Sequence, residues 1–162
     1  MANNVKRVYY TQTTKDTIPA STATASVITA TEGQRTFTLD TAVAEGGFGG
    51  FSWIWDSTND KLYKVEKMLD DTSGIIQGTF SDALSDAAFA YIKTQDAKIV
   101  KLSVKANADT DVYHNGTAYT LLEGDSINDD ATGIIAKFTG RSCDPALVDG
   151  TTGAVAVLYI MK

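Results

Sequence analysis

The chain has 162 residues, of which 43% are hydrophobic, and a formal net charge of −6 at pH 7. This length and hydrophobic content suffice for one domain with its own core. The negative charge argues against a nucleic-acid binder, because such proteins neutralise phosphates with basic side chains. Cys143 is the only cysteine, which excludes an intrachain disulfide and a zinc site with several cysteines. No stretch approaches the roughly eighteen consecutive apolar residues of a membrane span, so no membrane contact is expected.

The N-terminal segment is polar and leads into no apolar signal region, so we expect synthesis in a cytoplasm. Val5–Tyr10 is predicted as a short strand, and threonine, alanine and serine predominate from there to Thr31. Residues 1–35 carry a charge of +2 and the rest −8. We predict an extended arm over 1–33, either without fixed structure or ordered by lying across a neighbouring subunit. Its candidate assembly contacts are Tyr9, Tyr10, Ile18, Pro19, Val27 and Ile28.

A single domain is predicted over residues 34–162. It opens with the strand Gln34–Leu39, in which Phe37 and Leu39 share a face. The run Gly46–Gly50 has neither the spacing nor the Gly-Lys-Ser/Thr ending of a phosphate-binding loop. We interpret it as a flexible loop or bend.

A hairpin follows, because Phe51–Trp55 and Lys61–Lys67 flank the turn-forming residues Asp56–Asp60. The aromatic side chains of its first strand share one face, where their burial would dominate the packing energy of the hairpin. Core packing is the simpler interpretation of Trp53 and Trp55. Since alternate strand residues face the same way, the two rings are also a candidate platform for sugars.

Residues 81–94 fit two patterns. A helical spacing is followed by Leu84, Ala87, Ala88, Tyr91 and Ile92, with Ser81 as the N-cap. Phe89–Lys93 is also compatible with a strand. We predict a helical turn over 82–88 followed by a strand, so that the chain has at most one short helix.

Lys98–Lys105 alternates apolar and polar residues, which predicts a strand with one solvated face. Asn115 and Gly116 then supply the two positive-φ residues that a type I′ turn requires. The turn predicts a two-residue hairpin in which His114 pairs with Thr117. The requirements of this turn also explain why the segment matches a glycosylation sequon.

Three further strands are predicted at Leu121–Ile127, Ile134–Phe138 and Ala154–Ile160. The last is apolar on both faces and is therefore expected to be central in its sheet. About eight short strands separated by turn signals indicate an all-β fold, an antiparallel β-sandwich or a jelly-roll-like barrel.

No residue is predicted to be catalytic. A nucleophilic triad would have to use His114, the only histidine, and a hairpin tip supports a triad poorly. Acidic residues are concentrated on either side of this hairpin, at Asp109 and Asp111 before it and at Glu123, Asp125, Asp129 and Asp130 after it. They lack the spacing of an EF-hand loop and are interpreted as a solvated rim, although glycosidase chemistry stays open. No metal or cofactor is predicted, and Cys143 is interpreted as a small hydrophobic residue.

The order Phe89–Lys93, Ile99–Val104 and Leu121–Ile127 resembles a pattern in β-sandwich virion proteins of tailed bacteriophages. In those proteins an aromatic strand ending in Lys or Asn precedes an apolar strand and a Leu-x-x-Gly-Glu/Asp-Ser loop. The match spans residues 89–127, about a quarter of the chain. The chain has neither the repeats nor the terminal heptads of long tail fibres.

The resemblance implies a capsid decoration or cement protein, located in the virion, with an arm that binds the shell and a β-sandwich that projects outward or bridges capsomers. Its expected partners are the major capsid protein or other virion subunits, with the chain present as a homo-oligomer or in repeated copies. A tail-tube or connector subunit is the first alternative. A carbohydrate-binding or adhesion module that uses Trp53 and Trp55 is the second.

Overall fold

The computed structural model describes eleven stretches of the chain. These are residues 5–12, 16–18, 21–43, 48, 52–93, 98–105, 109–114, 117–124, 126–127, 146–150 and 154–161. They form the strands β1 (Val5–Gln12), β2 (Asp16–Ile18), β3 (Thr22–Ala30), β4 (Thr36–Leu39), β5 (Ser52–Asp56), β6 (Lys61–Met68), β7 (Ser73–Ile76), β8 (Leu84–Lys93), β9 (Lys98–Lys105), β10 (Thr110–His114), β11 (Thr117–Leu121), β12 (Ser126–Ile127), β13 (Ala146–Gly150) and β14 (Ala154–Met161). None of the described residues is helical, which confirms the all-β prediction, whereas the expected number of about eight strands is not confirmed.

The chain divides into two compact units. One is continuous and comprises Ser21–Lys93, and the other combines Met1–Ala20 with Thr94–Lys162. This division differs from the expected arm over 1–33 and single domain over 34–162. β1 and β2 each pair with a strand from the C-terminal part of the chain, and β3 belongs to the continuous unit. The predicted extended arm is therefore not confirmed.

The continuous unit is a closed antiparallel barrel of six strands in the order β3-β4-β7-β6-β5-β8. Closure comes from β8, which pairs with β5 on one side and with β3 on the other. A closed sheet has no edge strand. The strands of the barrel therefore pair their backbone N–H and C=O groups with one another and need no partner chain for this. The predicted hairpin is confirmed, because Asp56 of β5 lies opposite Lys61 of β6.

Aromatic side chains fill the barrel. Phe37 makes edge-to-face contacts with Phe48 and Phe80, at ring-centroid distances of 5.9 and 6.5 Å. Phe48 also packs on Phe89 at 5.2 Å, and Tyr63 packs on Phe80 at 4.6 Å. The rings thus form a continuous chain of contacts through the core, an arrangement that adds to the free energy of simple burial.

Two features of this core were not predicted. Phe48, from the run interpreted as a flexible loop, is buried among the other rings. Gly74 on β7 lies against the ring of Phe37, where an added Cβ would approach Cε1 to 2.8 Å and the sulfur of Met68 to 3.0 Å. The barrel therefore needs glycine at position 74 to make room for Phe37.

Two carboxylates stabilise turns of the barrel by accepting hydrogen bonds. Asp40 accepts hydrogen bonds from the Val27 N–H at 2.7 Å and the Ser26 hydroxyl at 2.8 Å, and these bonds lower its pKa. Asp70 accepts bonds from the Ser73 hydroxyl and the Thr72 N–H, both at 2.8 Å, and its pKa is lowered for the same reason. Hydrogen bonds donated to a carboxylate favour its charged form.

The helical turn predicted over 82–88 is wrong, because Leu84–Lys93 is one strand. Ala87 of β8 lies opposite Ile28 of β3, and Leu84 lies opposite Ala30. Three steps along β8 therefore match two steps along β3, so β8 carries one extra residue. Asp86 lies in this bulge with φ of 48°. The extra residue spaces the inward-facing side chains by three positions, which mimics a helical period.

The other unit contains two four-stranded sheets. One has the order β1-β14-β9-β12 and the other β11-β10-β13-β2. Val8 lies opposite Leu158 in the β1–β14 pair, and every pairing in the two sheets is antiparallel. The strand predicted at Ala154–Ile160 is confirmed and lies between two neighbours in its sheet, as expected for a strand with two apolar faces.

The predicted hairpin of this unit is also confirmed. His114 at the end of β10 lies opposite Thr117 at the start of β11, which leaves a two-residue loop. The conformation of Asn115 and Gly116 lies outside the described residues, as does the strand predicted at Ile134–Phe138. Lys98–Lys105 is a strand as predicted.

Candidate functional site

The two faces of β5 have different surroundings. Ile54 is 1% exposed and belongs to the barrel core, whereas Trp53 and Trp55 are half-buried and lie on the opposite, outward face. The predicted shared face of the two tryptophans is therefore present, and it is not the core face. We call Trp53, Trp55 and the cross-strand neighbours Leu62, Lys64 and Ile92 the outer aromatic face.

The two tryptophans differ in their neighbours. Trp53 lies opposite Lys64 on β6, whose Nζ is 5.6 Å from the centroid of the Trp53 ring. This cation–π contact covers one face of that ring. Trp55 lies opposite Leu62, an apolar residue that is 3% exposed. Of the two rings, Trp55 thus has the less polar surroundings across the strand.

A pocket opens beside Trp55 at the seam between β5 and β8. Pairing between these strands covers Ser52–Ile54 and ends where Ile54 meets Tyr91. Past that point the strands separate and leave a pocket of about 110 Å³. Its lining comprises Ile28, Trp55, Asp56, Ser57, Thr58, Leu84, Ala87 and Ala88.

The residues of the lining that carry polar side-chain atoms are Trp55, Asp56, Ser57 and Thr58. The Trp55 indole N–H is buried and has no hydrogen-bond partner within the described part of the chain. The Asp56 carboxylate accepts bonds from the Thr58 N–H at 3.0 Å and from the Asn59 N–H and side-chain amide at 3.3 and 2.8 Å. A carboxylate offers about four lone-pair positions, so one remains for a further donor.

The bulge in β8 shapes the opposite wall of the pocket. Leu84, Ala87 and Ala88 line it, and Asp86 lies between them in a backbone conformation that non-glycine residues rarely adopt. Bulges commonly occur beside functional sites, where they redirect side chains. The sequence signal was available, because Leu84, Ala87, Phe89 and Tyr91 alternate as in a strand except for one extra residue.

The candidate assembly contacts occupy different places. Tyr9 and Tyr10 lie on β1 opposite Val157 and Ala156, and Ile18 on β2 lies opposite Ala146. Pro19 lies outside the described residues. Val27 and Ile28 lie on barrel strand β3, and Ile28 is 1% exposed inside the core. Because its side chain is enclosed by the barrel, Ile28 is removed from the assembly contacts.

The remaining sequence candidates do not form a site within the described residues. His114 lies at the end of β10, and the Asp109 carboxylate accepts a hydrogen bond from the Glu123 N–H at 2.9 Å. Cys143, Asp125, Asp129 and Asp130 lie outside the described residues. In the part of the chain that was searched, no group of three or more potential metal-ligating side chains occurs.

Comparison with known proteins gave no relatives. No family model matches the chain, and neither a curated protein nor a solved structure is similar to it. A search for membrane-spanning helices among the described residues found none.

Proposed function

We propose that this chain is a non-enzymatic structural protein of a tailed-bacteriophage virion, and in particular a capsid decoration or cement protein. Its partners are then the major capsid protein or neighbouring virion subunits, which it binds in many copies. The observation that supports this proposal best is the topology of the unit formed by Met1–Ala20 and Thr94–Lys162. Among the described strands both of its sheets are open, and outer strands of this kind can offer backbone groups to neighbouring chains.

β1 is the longest of the outer strands, with eight residues. It pairs with β14 on one side and, within the described strands, with nothing on the other. Adding a strand from a neighbouring subunit to such an edge forms a row of main-chain hydrogen bonds. Weak contacts of this kind, repeated over many copies, reinforce a shell. Tyr9 and Tyr10 lie on this edge strand, as an assembly role for them requires.

The direct test is the composition of particles. Virions are purified on a density gradient from a lysate of cells that carry the gene for this chain, and their proteins are quantified by mass spectrometry. We expect the chain at a copy number comparable to that of the major capsid protein. Gold-labelled antibody against the chain should decorate the shell. Absence of the chain from purified particles would overturn the proposal.

Deleting the N-terminal segment is not a useful test, because residues 22–30 form a barrel strand. A pair of proline substitutions, Tyr9→Pro and Tyr10→Pro, is sharper. Consecutive N–H groups of an edge strand point alternately toward and away from the neighbouring strand. One variant therefore breaks the β1–β14 ladder and melts earlier, and the other keeps its stability. The stable variant should be missing from particles, and its normal incorporation would exclude β1 as the binding edge.

A tail-tube or connector subunit is the alternative within the same class. Labelling confined to the tail, together with rings or tubes of purified protein in electron micrographs, would favour it. Labelling of the shell and a monomeric or trimeric purified chain would favour decoration.

A carbohydrate-binding or adhesion module is a second candidate, and the outward orientation of Trp53 and Trp55 favours it. Aromatic rings on the outside of a barrel are accessible to a flat apolar sugar face in a way that core rings are not. Since these are the only tryptophans in the chain, tryptophan emission excited at wavelengths that tyrosine does not absorb reports on this face alone. A change of emission on titration with glycans is expected, and an unchanged spectrum would remove this candidate.

A further inference from the structure

We propose that β1 binds the β1 strand of a second copy of this chain, in an antiparallel pair centred on Val8. This inference rests on the proposed structural function and names the partner of the β1 edge. In the pair, the sheet β1-β14-β9-β12 continues across a two-fold axis into its copy. A contact of this kind uses the same edge of both chains, so it closes with two copies.

The length of β1 distinguishes it from the other described strands at a sheet edge. Its own sheet ends in β12 on the other side, and the second sheet ends in β11 and β2. These three strands have two, five and three residues, whereas β1 has eight. A row of main-chain hydrogen bonds grows with the number of residues that pair, so β1 offers the longest row among the described edges.

Two-fold symmetry restricts the register of such a pair. In antiparallel strands, directly opposite side chains lie on the same face of the sheet, and successive residues alternate between the faces. One residue must therefore lie opposite its own copy. Only Val8 or Tyr9 in this central place leaves a single residue of Val5–Gln12 without a partner. Outward-pointing N–H groups then meet C=O groups of the second copy.

The charges of β1 favour Val8 as the central residue. The strand carries two cations, Lys6 and Arg7, and no acidic side chain. With Val8 at the centre, Lys6 lies opposite Tyr10 of the second copy. Arg7 likewise lies opposite Tyr9. A cation is attracted to an aromatic ring across the strands, whereas like charges directly opposite one another destabilise a sheet.

Centring the pair on Tyr9 removes these attractive pairs. Lys6 would then lie opposite Gln12, and Arg7 opposite Thr11, two positions without an aromatic ring. Lysine on an edge strand commonly prevents pairing with other edges. In the register around the preceding residue, each cation faces an aromatic position instead, and no like charges meet.

The strength of the pair depends on how the copies are held. A contact through one strand of each copy is small compared with the roughly 1,200–2,000 Å² of stable interfaces. We therefore expect the purified chain to be mainly monomeric at micromolar concentration and to form dimers at millimolar concentration. Anchoring of neighbouring copies on one shell raises their effective concentration toward the millimolar range, which favours the pair there.

Cysteine substitutions on β1 test the register in the full chain. Cys143, the only native cysteine, is first replaced by serine. Val8→Cys then places two thiols directly opposite one another, within the distance that a disulfide spans. Tyr9→Cys displaces its two thiols by two positions along the strands, which exceeds that distance. Under mild oxidation at millimolar protein concentration, we expect Val8→Cys to form covalent dimers at least ten times faster.

A matched pair of double variants tests the charges. Lys6→Gln with Arg7→Gln removes both cations of β1 and should raise the dissociation constant of the dimer at least threefold in sedimentation equilibrium. Lys98→Gln with Lys101→Gln removes the same charge from β9, which lies between two strands, and should leave the dimer unchanged. Circular dichroism confirms that both variants fold.

The possible results separate this inference from the function on which it rests. Faster crosslinking of Tyr9→Cys overturns the register around Val8. Equal rates, a monomer at millimolar concentration, or rings and filaments in place of dimers overturn the pairing of β1 with itself. Each of these results leaves the structural function to its own test, the presence of the chain in purified particles. Conversely, a dimer with this register in a chain that is absent from particles overturns that function and keeps the inference.

Discussion

The inside and the outside of the barrel use aromatic residues for different purposes. Inside, Phe37, Phe80 and Phe89 are each 1% exposed and contact other rings edge to face. Outside, Trp53 and Trp55 are half-buried, and the ammonium of Lys64 lies over the ring of Trp53. The interior rings thus pack on one another, whereas the two tryptophan rings lie outside that network of contacts.

This difference has a measurable consequence. If the two sets of rings have separate roles, substitutions inside should change stability strongly and substitutions outside should change it little. The two tryptophans report on both cases, because they lie on the barrel and nowhere else in the chain. Denaturant titration followed by tryptophan fluorescence therefore measures the unfolding of the barrel itself.

The largest effect is expected from Phe37→Ala. This side chain contacts Phe48 and Phe80 and fills the space beside Gly74. Its removal should lower the free energy of unfolding by about 3–5 kcal/mol, as for other buried phenylalanines. Thr38→Ala, at the next, exposed position of β4, is the control and should change it by less than about 0.5 kcal/mol. Similar losses in the two variants would show that the interior rings are not the main source of stability.

Gly74→Ala should produce the next largest effect. The new methyl group collides with the ring of Phe37, and such overpacking costs about 1–3 kcal/mol. The double variant with Phe37→Leu should lose less than the sum of the two single losses, because the smaller side chain leaves room for the methyl group. Additive losses would place the strain elsewhere than at this contact.

Much of the fold was predictable because strand alternation and turn residues are local signals. Asn115-Gly116 and Asp56–Asp60 specified their hairpins, and the doubly apolar strand at Ala154–Ile160 is central as expected. The division into two units was not predicted, because the pairing of β1 with β14 joins residues from opposite ends of the chain. No local pattern encodes such a long-range pairing.

The candidate site was predicted only in part. The shared face of Trp53 and Trp55 followed from strand geometry. Whether that face points inward depends on which other side chains of the chain fill the core. Phe48 and Phe80 come from segments without regular strand patterns and fill the core, which leaves the tryptophans outside. The bulge at Asp86 adds one residue to β8, so the sequence spacing of the residues that line the pocket resembles that of a helical turn.

Protonation of Asp40, an exposed residue of the barrel, should lower the stability of the barrel. Because hydrogen bonds from Val27 and Ser26 lower its folded pKa, Asp40 stabilises the fold above its ordinary value of 3.8. That stabilisation is lost as the pH falls below 3.8 and through the folded pKa. Asp40→Asn should therefore flatten the decline of the melting temperature in this acidic range. Asp71→Asn removes an equal charge at another exposed position and should keep it. Equal slopes in the two variants would contradict the role of these bonds.

The smallest effect is expected from Lys64→Met, which removes the charge above Trp53 but keeps an apolar stem. A partly exposed cation–π contact contributes about 0.5–1 kcal/mol, so the free energy of unfolding should fall by no more than about 1 kcal/mol. The emission spectrum of the native protein should nevertheless change, since the ammonium lies 5.6 Å from the ring centroid. A loss approaching that of Phe37→Ala would mean that the outer aromatic face is a structural layer of the barrel. A small loss, with fluorescence altered, would show that the outer aromatic face adds little to the stability of the barrel.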